Sequence, residues 1–401
     1  MINVGVFGYG TVGSGVVEVL TKNADVIEKN VGDKVNVKAV LDLRDFPGDP
    51  FEELIVHDVE VIVNDPEIKI ICETMGGVGA AYKFTKAALE AGKSVCTSNK
   101  ELVALHGPEL INIAKEHNCS YKFEASVGGG IPIIRPLLDA VTADKIEAVV
   151  GIVNGTTNYM LTKMSKEGAE FDDVLKEAQA KGYAELHPEA DVEGFDAARK
   201  LAILSSLLYG KKVNYENIPT EGIVNISARD MKYADKLGMT IKLLAKYEDR
   251  ETGAFALVAP HLLKPENPLF SVNDVFNAIL VHGNMLDDAM FFGRGAGKLP
   301  TASAVCGDVV ECARNLGRHL PINWADEEVN LPGFLAAKGK FFVRVGAELK
   351  ADAIAAFENV EEVDAGFFDE FAFITEEISE ADFKKKKEKT GMLINYLRLE
   401  K

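Results

Sequence analysis

No run of about 18 apolar residues occurs, the length a membrane-spanning helix requires, although 47% of the 401 residues are hydrophobic. The N-terminus enters a strand-like run with no basic region or cleavage site before it, so export is not expected and a cytoplasmic location is. The five cysteines, Cys72, Cys96, Cys119, Cys306 and Cys312, are odd in number and form no C-x-x-C pair. That excludes a zinc knuckle and a disulfide framework and favours a reducing compartment. The seven histidines show no H-E-x-x-H spacing. An excess of basic residues is also missing. The net charge of -18 argues against nucleic acid or an anionic membrane as partner. It leaves an anionic cofactor open, because backbone amides at a helix N-terminus hold phosphate.

What is present begins with alternation. A chain of this length makes two or three domains. Ile2 to Phe7 reads as a buried strand and runs into Gly8-Tyr-Gly10-Thr11-Val12-Gly13, followed by a helical stretch. A lone G-x-G-x-x-G is weak, but this one sits between a strand and a helix, the setting of a dinucleotide-binding turn. The second strand, Val35 to Leu41, ends in Asp42-Leu-Arg44. Asp42 suits a ribose 2′-hydroxyl and NAD, whereas Arg44 suits a 2′-phosphate and NADP, so the choice between cofactors stays open. Strands at Ile68 to Cys72 and Ser94 to Thr97 alternate with helices at Ala80 to Ala91 and Leu102 to His117. This pattern is that of a Rossmann-type, doubly wound parallel sheet in an α/β protein, with ligands beyond the carboxyl ends of the strands. Met75, Gly76, Thr97, Ser98 and Lys100 fall at such ends.

The densest chemistry lies between Asn154 and Lys200. Asn154-Gly155-Thr156-Thr-Asn158 comes first, then Gly182-Tyr-Ala-Glu185, then Asp191, Asp196 and Lys200. Phe195 to Tyr209 reads as an almost wholly apolar, buried helix on which Asp196 and Lys200 share a face. On a solvated helix the pair would be worth roughly 0.3–0.5 kcal/mol and mean little. On a buried helix, charges cost several kcal/mol unless paired or functional, which makes this pair a candidate acid–base site. Strand-like runs at Ile241 to Tyr247, Ala254 to Ala259 and Phe276 to His282 predict an α+β domain with a mixed, largely antiparallel sheet. Leu320 to Gly339 reads as a linker. Beyond it the order β-α-β-β-α-β predicts a ferredoxin-like module.

Taken together, these residues resemble homoserine dehydrogenases. The resemblance rests on Gly8 to Gly13, Thr97-Ser-Asn-Lys100, Glu124-Ala-Ser-Val-Gly-Gly-Gly-Ile-Pro132, Gly151 to Asn158, Gly182 to Glu185, Asp191-x-x-Gly194-x-Asp196-x-x-x-Lys200 and Gly295-Ala-Gly297-x-x-Pro-Thr-Ala-Ser303. It implies interconversion of L-aspartate 4-semialdehyde and L-homoserine with NAD or NADP, within threonine and methionine biosynthesis. It implies catalytic roles at Lys200, Asp196 and Lys100, and substrate contacts at Glu185, Asp191, Thr156, Gly155, Lys100 and Lys200. Cofactor contacts are implied at Phe7, Gly8, Gly10, Thr11, Val12, Gly13, Asp42, Arg44, Met75, Gly76, Thr97, Ser98, Lys100, Gly182 and Gly295. A monovalent cation, sodium or potassium, is implied at the carboxylate of Glu124 and the backbone of Val127, Gly129 and Ile131. The implied plan is a dinucleotide-binding domain over 1–130 with 290–318 packing back on it, a substrate-binding and dimerisation domain over 131–290, and an ACT-like domain over 338–401. A homodimer or higher homo-oligomer is implied, with threonine as the family's usual effector.

Two departures stand out. His187 precedes Pro188 where the family carries Asp, Asn or Ser. The tail's first strand-to-helix loop, Gly346-Ala-Glu-Leu-Lys350, lacks the Asp-x-Pro-Gly pattern common in ACT domains. Other readings are a related amino-acid or semialdehyde dehydrogenase, and a nucleotide-sensing regulator with a vestigial site. Aspartate semialdehyde dehydrogenase would need a nucleophilic cysteine in an activating motif, and none is evident. A sensor has no need of the Glu185, Asp191, Asp196, Lys200 set.

Overall fold

A computed structural model describes residues 1–400. Its contacts divide the chain into two units. One comprises Met1–Ala143, Ala202–Asn214 and Gly293–Val329; the other comprises Asp144–Leu201, Tyr215–Phe292 and the chain from Asn330 onward.

The first unit opens with β1 (Ile2–Phe7), α1 (Thr11–Lys22), α2 (Ala24–Val31), β2 (Val35–Leu41), β3 (Ile55–Val56), α3 (Glu60–Val63), β4 (Ile68–Glu73), α4 (Gly79–Glu90), β5 (Ser94–Thr97), α5 (Lys100–Glu116) and β6 (Tyr121–Lys122). The six strands are parallel in the order β3-β2-β1-β4-β5-β6. This is the doubly wound arrangement whose strand order reverses between β1 and β4. All six residues of β1 are buried, as expected of a strand covered on both faces.

The chain continues through β7 (Ile146–Ile152), α6 (Gly155–Glu167), α7 (Phe171–Ala180), α8 (Glu189–Val192), α9 (Phe195–Tyr209), β8 (Lys211–Val213), α10 (Ala228–Lys236), β9 (Thr240–Arg250), β10 (Gly253–Leu263), β11 (Phe276–Gly283) and β12 (Asp287–Arg294). α11 (Lys298–Arg314) and β13 (Ala325–Val329) follow in the first unit, to which β8 and the end of α9 also belong. Ala302, Val305 and Val309 of α11 join Val16 and Val17 of α1 in one core. The tail follows as β14 (Lys338–Gly346), α12 (Lys350–Phe357), β15 (Val360–Glu362), β16 (Glu370–Thr375), β17 (Ile378–Ser379), α13 (Glu380–Thr390) and β18 (Leu393–Leu399).

In the second unit the strands form one sheet along the path β12-β11-β7-β9-β10-β18-β14-β16-β15. Pairing is antiparallel from β11 through β10 and parallel between β10 and β18. The mixed sheet expected for the middle of the chain is present, and the tail extends it. Within the tail the strands lie in the order β18-β14-β16-β15, with α12 and α13 in contact.

One local reading is corrected. Leu320 to Gly339 is not all linker, because Ala325–Val329 pairs in parallel with Lys211–Val213. That strand is polar and exposed along most of its length, so no apolar alternation betrays it. Gly155 to Asn158, part of the central motif, form the first turn of α6, capped by Asn154.

A buried ionic cluster ties the tail to α10. The Arg344 guanidinium on β14 lies 2.7 Å from Asp230 and 2.6 Å from Glu370, and both carboxylates are fully buried. Asp230 also closes a capping box with Ser227, so the same carboxylate organises the start of α10. Removing one partner of such a cluster strands the other's charge in the interior. Asp230→Ala is expected to lower unfolding stability by about 3–5 kcal/mol. Urea melts would check this, and a loss below about 1 kcal/mol would mean the cluster is solvated.

Candidate active site

In the first unit the strand ends converge on the glycine turn. Gly8 has φ +90°, outside the range side-chain-bearing residues favour. A Cβ on Gly13 would lie 1.9 Å from the Gly8 carbonyl oxygen, whereas a Cβ on Gly10 would meet nothing within 4 Å. The third glycine therefore lets helix approach strand, and the second leaves open space at the N-terminus of α1. No acidic residue occupies the first turn of α1, which keeps its amides favourable to an anion. A cavity of about 500 Å³ lies here, lined by Gly8, Gly10, Asp42, Arg44, Thr74 and Met75 among others. Thr11 is exposed and Val12 half-buried at this turn; Phe7 is buried and contributes its carbonyl, which accepts from Thr74.

Asp42 and Arg44, the rival cofactor readers, hold each other. Arg44 Nε and Nη2 donate to the two oxygens of Asp42 at 3.0 Å each, and the Tyr9 amide donates to Oδ2 at 2.9 Å. The Arg44 bonds hold the Asp42 carboxyl well below the usual carboxylate range.

A buried carboxyl that sequence reading passed over supports the neighbouring loops. Glu73, at the end of β4, accepts from the Met75 amide at 2.7 Å and from the Thr97 hydroxyl at 2.5 Å. Asn99 donates to Gly77 O and caps α5 by accepting from Leu102 N, so Glu73 and Asn99 tie Met75 and Gly77 to Thr97 and the start of α5. Lys100 is the first residue of α5 and half-buried; Ser98 is half-buried beside it.

Farther along this unit, Glu124 is buried with a full complement of donors. Its Oε1 accepts from Ile133 N and Ile134 N, and its Oε2 from Arg135 N and Nε, at 2.6 to 3.2 Å. Its own amide donates to Asp308 of α11, whose carboxyl is pushed up to about 8 by burial and by the Glu124 charge. The Gly128 to Gly130 turn, between Val127 and Ile131, meets the Gly295 segment: Gly130 N donates to Arg294 O, and a Cβ on Gly129 would lie 2.1 Å from Gly295 O.

The second unit gathers the acid–base group. Lys200 Nζ donates to Asp196 Oδ2 and to Val153 O, the carbonyl just past β7, at 2.7 Å each. The Lys200 side chain is 11% exposed and that of Asp196 5%. Asn154 Nδ2 donates to Asp191 Oδ1 at 2.7 Å and to Asp196 Oδ2 at 2.9 Å. Gly194, at φ +87°, makes the bend between α8 and α9 that presents Asp191 and Asp196 to one amide. The Thr156 hydroxyl, one residue beyond Gly155, donates to Tyr183 O at 2.6 Å and so ties the Gly182 to Glu185 segment to α6. Glu185 is exposed on that segment, as is Gly182 at φ +72°. The structure thus brings Asp191, Asp196 and Lys200 together around Asn154. Sequence reading had placed Asn154 in the motif without giving it a task, although an asparagine before Gly-Thr-Thr is a helix-cap signal. His187 is solvent-exposed, 4.0 Å from Glu189.

A dinucleotide turn in one unit and a buried lysine–carboxylate pair in the other define the class, a nicotinamide-linked oxidoreductase. Two family models cover most of the chain: "Homoserine dehydrogenase, NAD binding domain" over residues 8–124 and "Homoserine dehydrogenase" over residues 132–310. A homoserine dehydrogenase of Synechocystis is 45% identical over 316 residues, 77% of this chain and 72% of its own length. The structure of a homoserine dehydrogenase from Thiobacillus denitrificans superposes with a TM-score of 0.89 at 34% identity, over 100% of this chain and 98% of that one. A hyperthermophilic archaeal homoserine dehydrogenase in complex with NADPH matches with a TM-score of 0.68 at 28% identity, over 80% of this chain and 99% of that one. The chain belongs to the homoserine dehydrogenase family.

Burial pushes the Glu73 carboxyl up from 4.5 to about 7. Because the folded value is the higher one, the folded protein holds this proton more tightly. The stabilisation is full below pH 4.5 and is lost as pH rises through about 7. Glu73→Gln stays neutral throughout. Between those limits wild type is expected to lose stability relative to the variant by on the order of 3 kcal/mol. Denaturant unfolding at several pH values checks this; parallel curves would refute it.

Proposed function

We propose that the protein is a homoserine dehydrogenase that interconverts L-aspartate 4-semialdehyde and L-homoserine with NAD or NADP, in threonine and methionine biosynthesis. The observation that carries the chemistry is the donor count at Lys200. An ammonium has three N–H groups. Asp196 and Val153 O take two, leaving one for the oxygen of an aldehyde as it becomes an alkoxide. The nicotinamide supplies the hydride when bound. Lys200 protonates the oxygen or stabilises its charge, and Asp196 holds Lys200 in place. Asp191 and Glu185 provide negative charge for the substrate ammonium, and the first turn of α6, with Gly155 and Thr156, shapes the floor of the substrate site. Lys100, among the loops that Glu73 braces, has the second catalytic role.

The dinucleotide fits the residues present. Gly10 leaves space beside the α1 amides, Gly13 permits the close helix, and Asp42 and Arg44 stand where the adenosine ribose would be read. A monovalent cation does not fit the Glu124 carboxylate, because four N–H donors already fill its lone pairs. No step is routed through such an ion.

The domain plan we favour is 1–130 with 290–318 for the cofactor, 131–290 for substrate and dimerisation, and 338–401 as an ACT-like, ferredoxin-like module. Threonine is the effector this reading gives the module. A homodimer in the cytoplasm completes the proposal; in the described residues no helix is long and apolar enough to cross a membrane.

The deciding experiment follows NADH and NADPH oxidation with aspartate semialdehyde, and absence of turnover with both would overturn the proposal. Lys200→Ala is expected to lower kcat about 100-fold or more. Asp42→Ala should release Arg44 for a 2′-phosphate and raise the NADPH-over-NADH ratio of kcat/KM at least about tenfold. An unchanged ratio would remove both residues from cofactor choice.

A further inference from the structure

The amide of Asn154 stands between the two acids to which the proposed reaction gives different tasks. Its Nδ2 has two hydrogens, and both are spent: one on Asp191 Oδ1 at 2.7 Å, one on Asp196 Oδ2 at 2.9 Å. Its Oδ1 accepts from Thr157 N at 2.9 Å and Thr157 Oγ1 at 3.0 Å, which caps α6. The amide cannot be turned over, because flipping it would aim an oxygen at two carboxylates and an NH2 at the helix amides. Asn154 is 6% exposed, so water does not substitute for these bonds cheaply.

Resting on the proposed function, we infer that Asn154 is a positioning residue that fixes Asp191 and Asp196 as separate acids. The bond to Asp191 aims that carboxylate for the substrate ammonium. The bond to Asp196 shares the oxygen that holds Lys200, so it also sets where the lysine's remaining N–H points. One neutral side chain keeps two like charges close without adding a third. Charged and titratable groups bonded around it include Asp191 of α8, Asp196 and Lys200 of α9, and, farther along α6, Lys242 of β9 at Asn158, and Glu177 of α7 with Lys181 just past that helix at Tyr159.

Capping and clamping separate by substitution. Asp and Gly both serve as N-caps at little cost relative to Asn, but neither donates from its side chain. Asn154→Gly removes the clamp without adding charge and should lower kcat/KM about tenfold or more, the worth of hydrogen bonds to charged groups. KM should rise through Asp191 and kcat fall through Asp196. With the donors gone, the acidic limb of the kcat/KM profile should move to higher pH. Asn154→Asp adds a third carboxylate and should cost about 100-fold or more. Asn154→Gly should stay folded with a melting temperature lowered by several degrees, and Asn154→Asp, with three carboxylates buried together, should melt lower still. Turnover by wild type tests the functional reading separately. Carbon-13 titration of labelled aspartates tests the clamp without turnover, since Asp191 and Asp196 should titrate higher in Asn154→Gly. Kinetic constants within twofold of wild type in Asn154→Gly, or unmoved aspartate titrations, would overturn the inference and leave Asn154 a helix cap only.

Discussion

The buried Lys200–Asp196 pair is the constraint around which the second unit is arranged. An ion pair taken from water repays its desolvation only when its remaining donors and acceptors are met. Each supporting feature answers that requirement. β7 ends where Val153 can offer its carbonyl, and α6 begins where Asn154 can offer its amide. Gly194 bends the chain between α8 and α9, and the apolar residues of α9 exclude solvent from the pair. Val153 O and Asp196 together take all but one of the lysine's hydrogens.

The first unit solves a different problem, keeping polar loops open at the end of a largely buried parallel sheet. Its answer is neutral or internally paired groups. Burial pushes the Glu73 carboxyl up to about 7, and it serves as a hydrogen-bonded brace. Glu124 and Asp308 meet Arg135, so the glycine turn that follows Glu124 is anchored by an arginine. Asp42 and Arg44 neutralise each other beside the cavity.

Much of this was legible in the chain. Phe195–Tyr209 reads as a helix with the bounds the structure gives it, because an apolar run of that length with no glycine or proline has no competing form. The strand–glycine–helix order foretold the parallel sheet and its ligand edge. What stayed hidden depended on partners distant in sequence. Gly-Thr-Thr-Asn is a poor helix former, and the first turn of α6 is helical because Asn154 caps it and β9 and β11 pack on that helix. Nothing local marks Glu73 as buried beside Thr97, or Arg135 as the partner of Glu124. β13 is all but invisible, since its burial is slight and its polarity is that of a loop.

The parallel pairing of β18 with β10, His261 opposite Arg398 and Leu262 opposite Leu399, has an evolutionary and practical side. A domain attached through a loop is gained or lost freely. One that completes another's sheet is not. Shortening this chain before Phe334 would bare the β10 edge at His261 and Leu262 together with Phe255 and Leu257, now packed against Ala337 and Phe334. Exposed edges of that kind recruit other chains. The tail therefore guards this edge against aggregation, and its sequence is freer to drift away from the seam with β10 than at it.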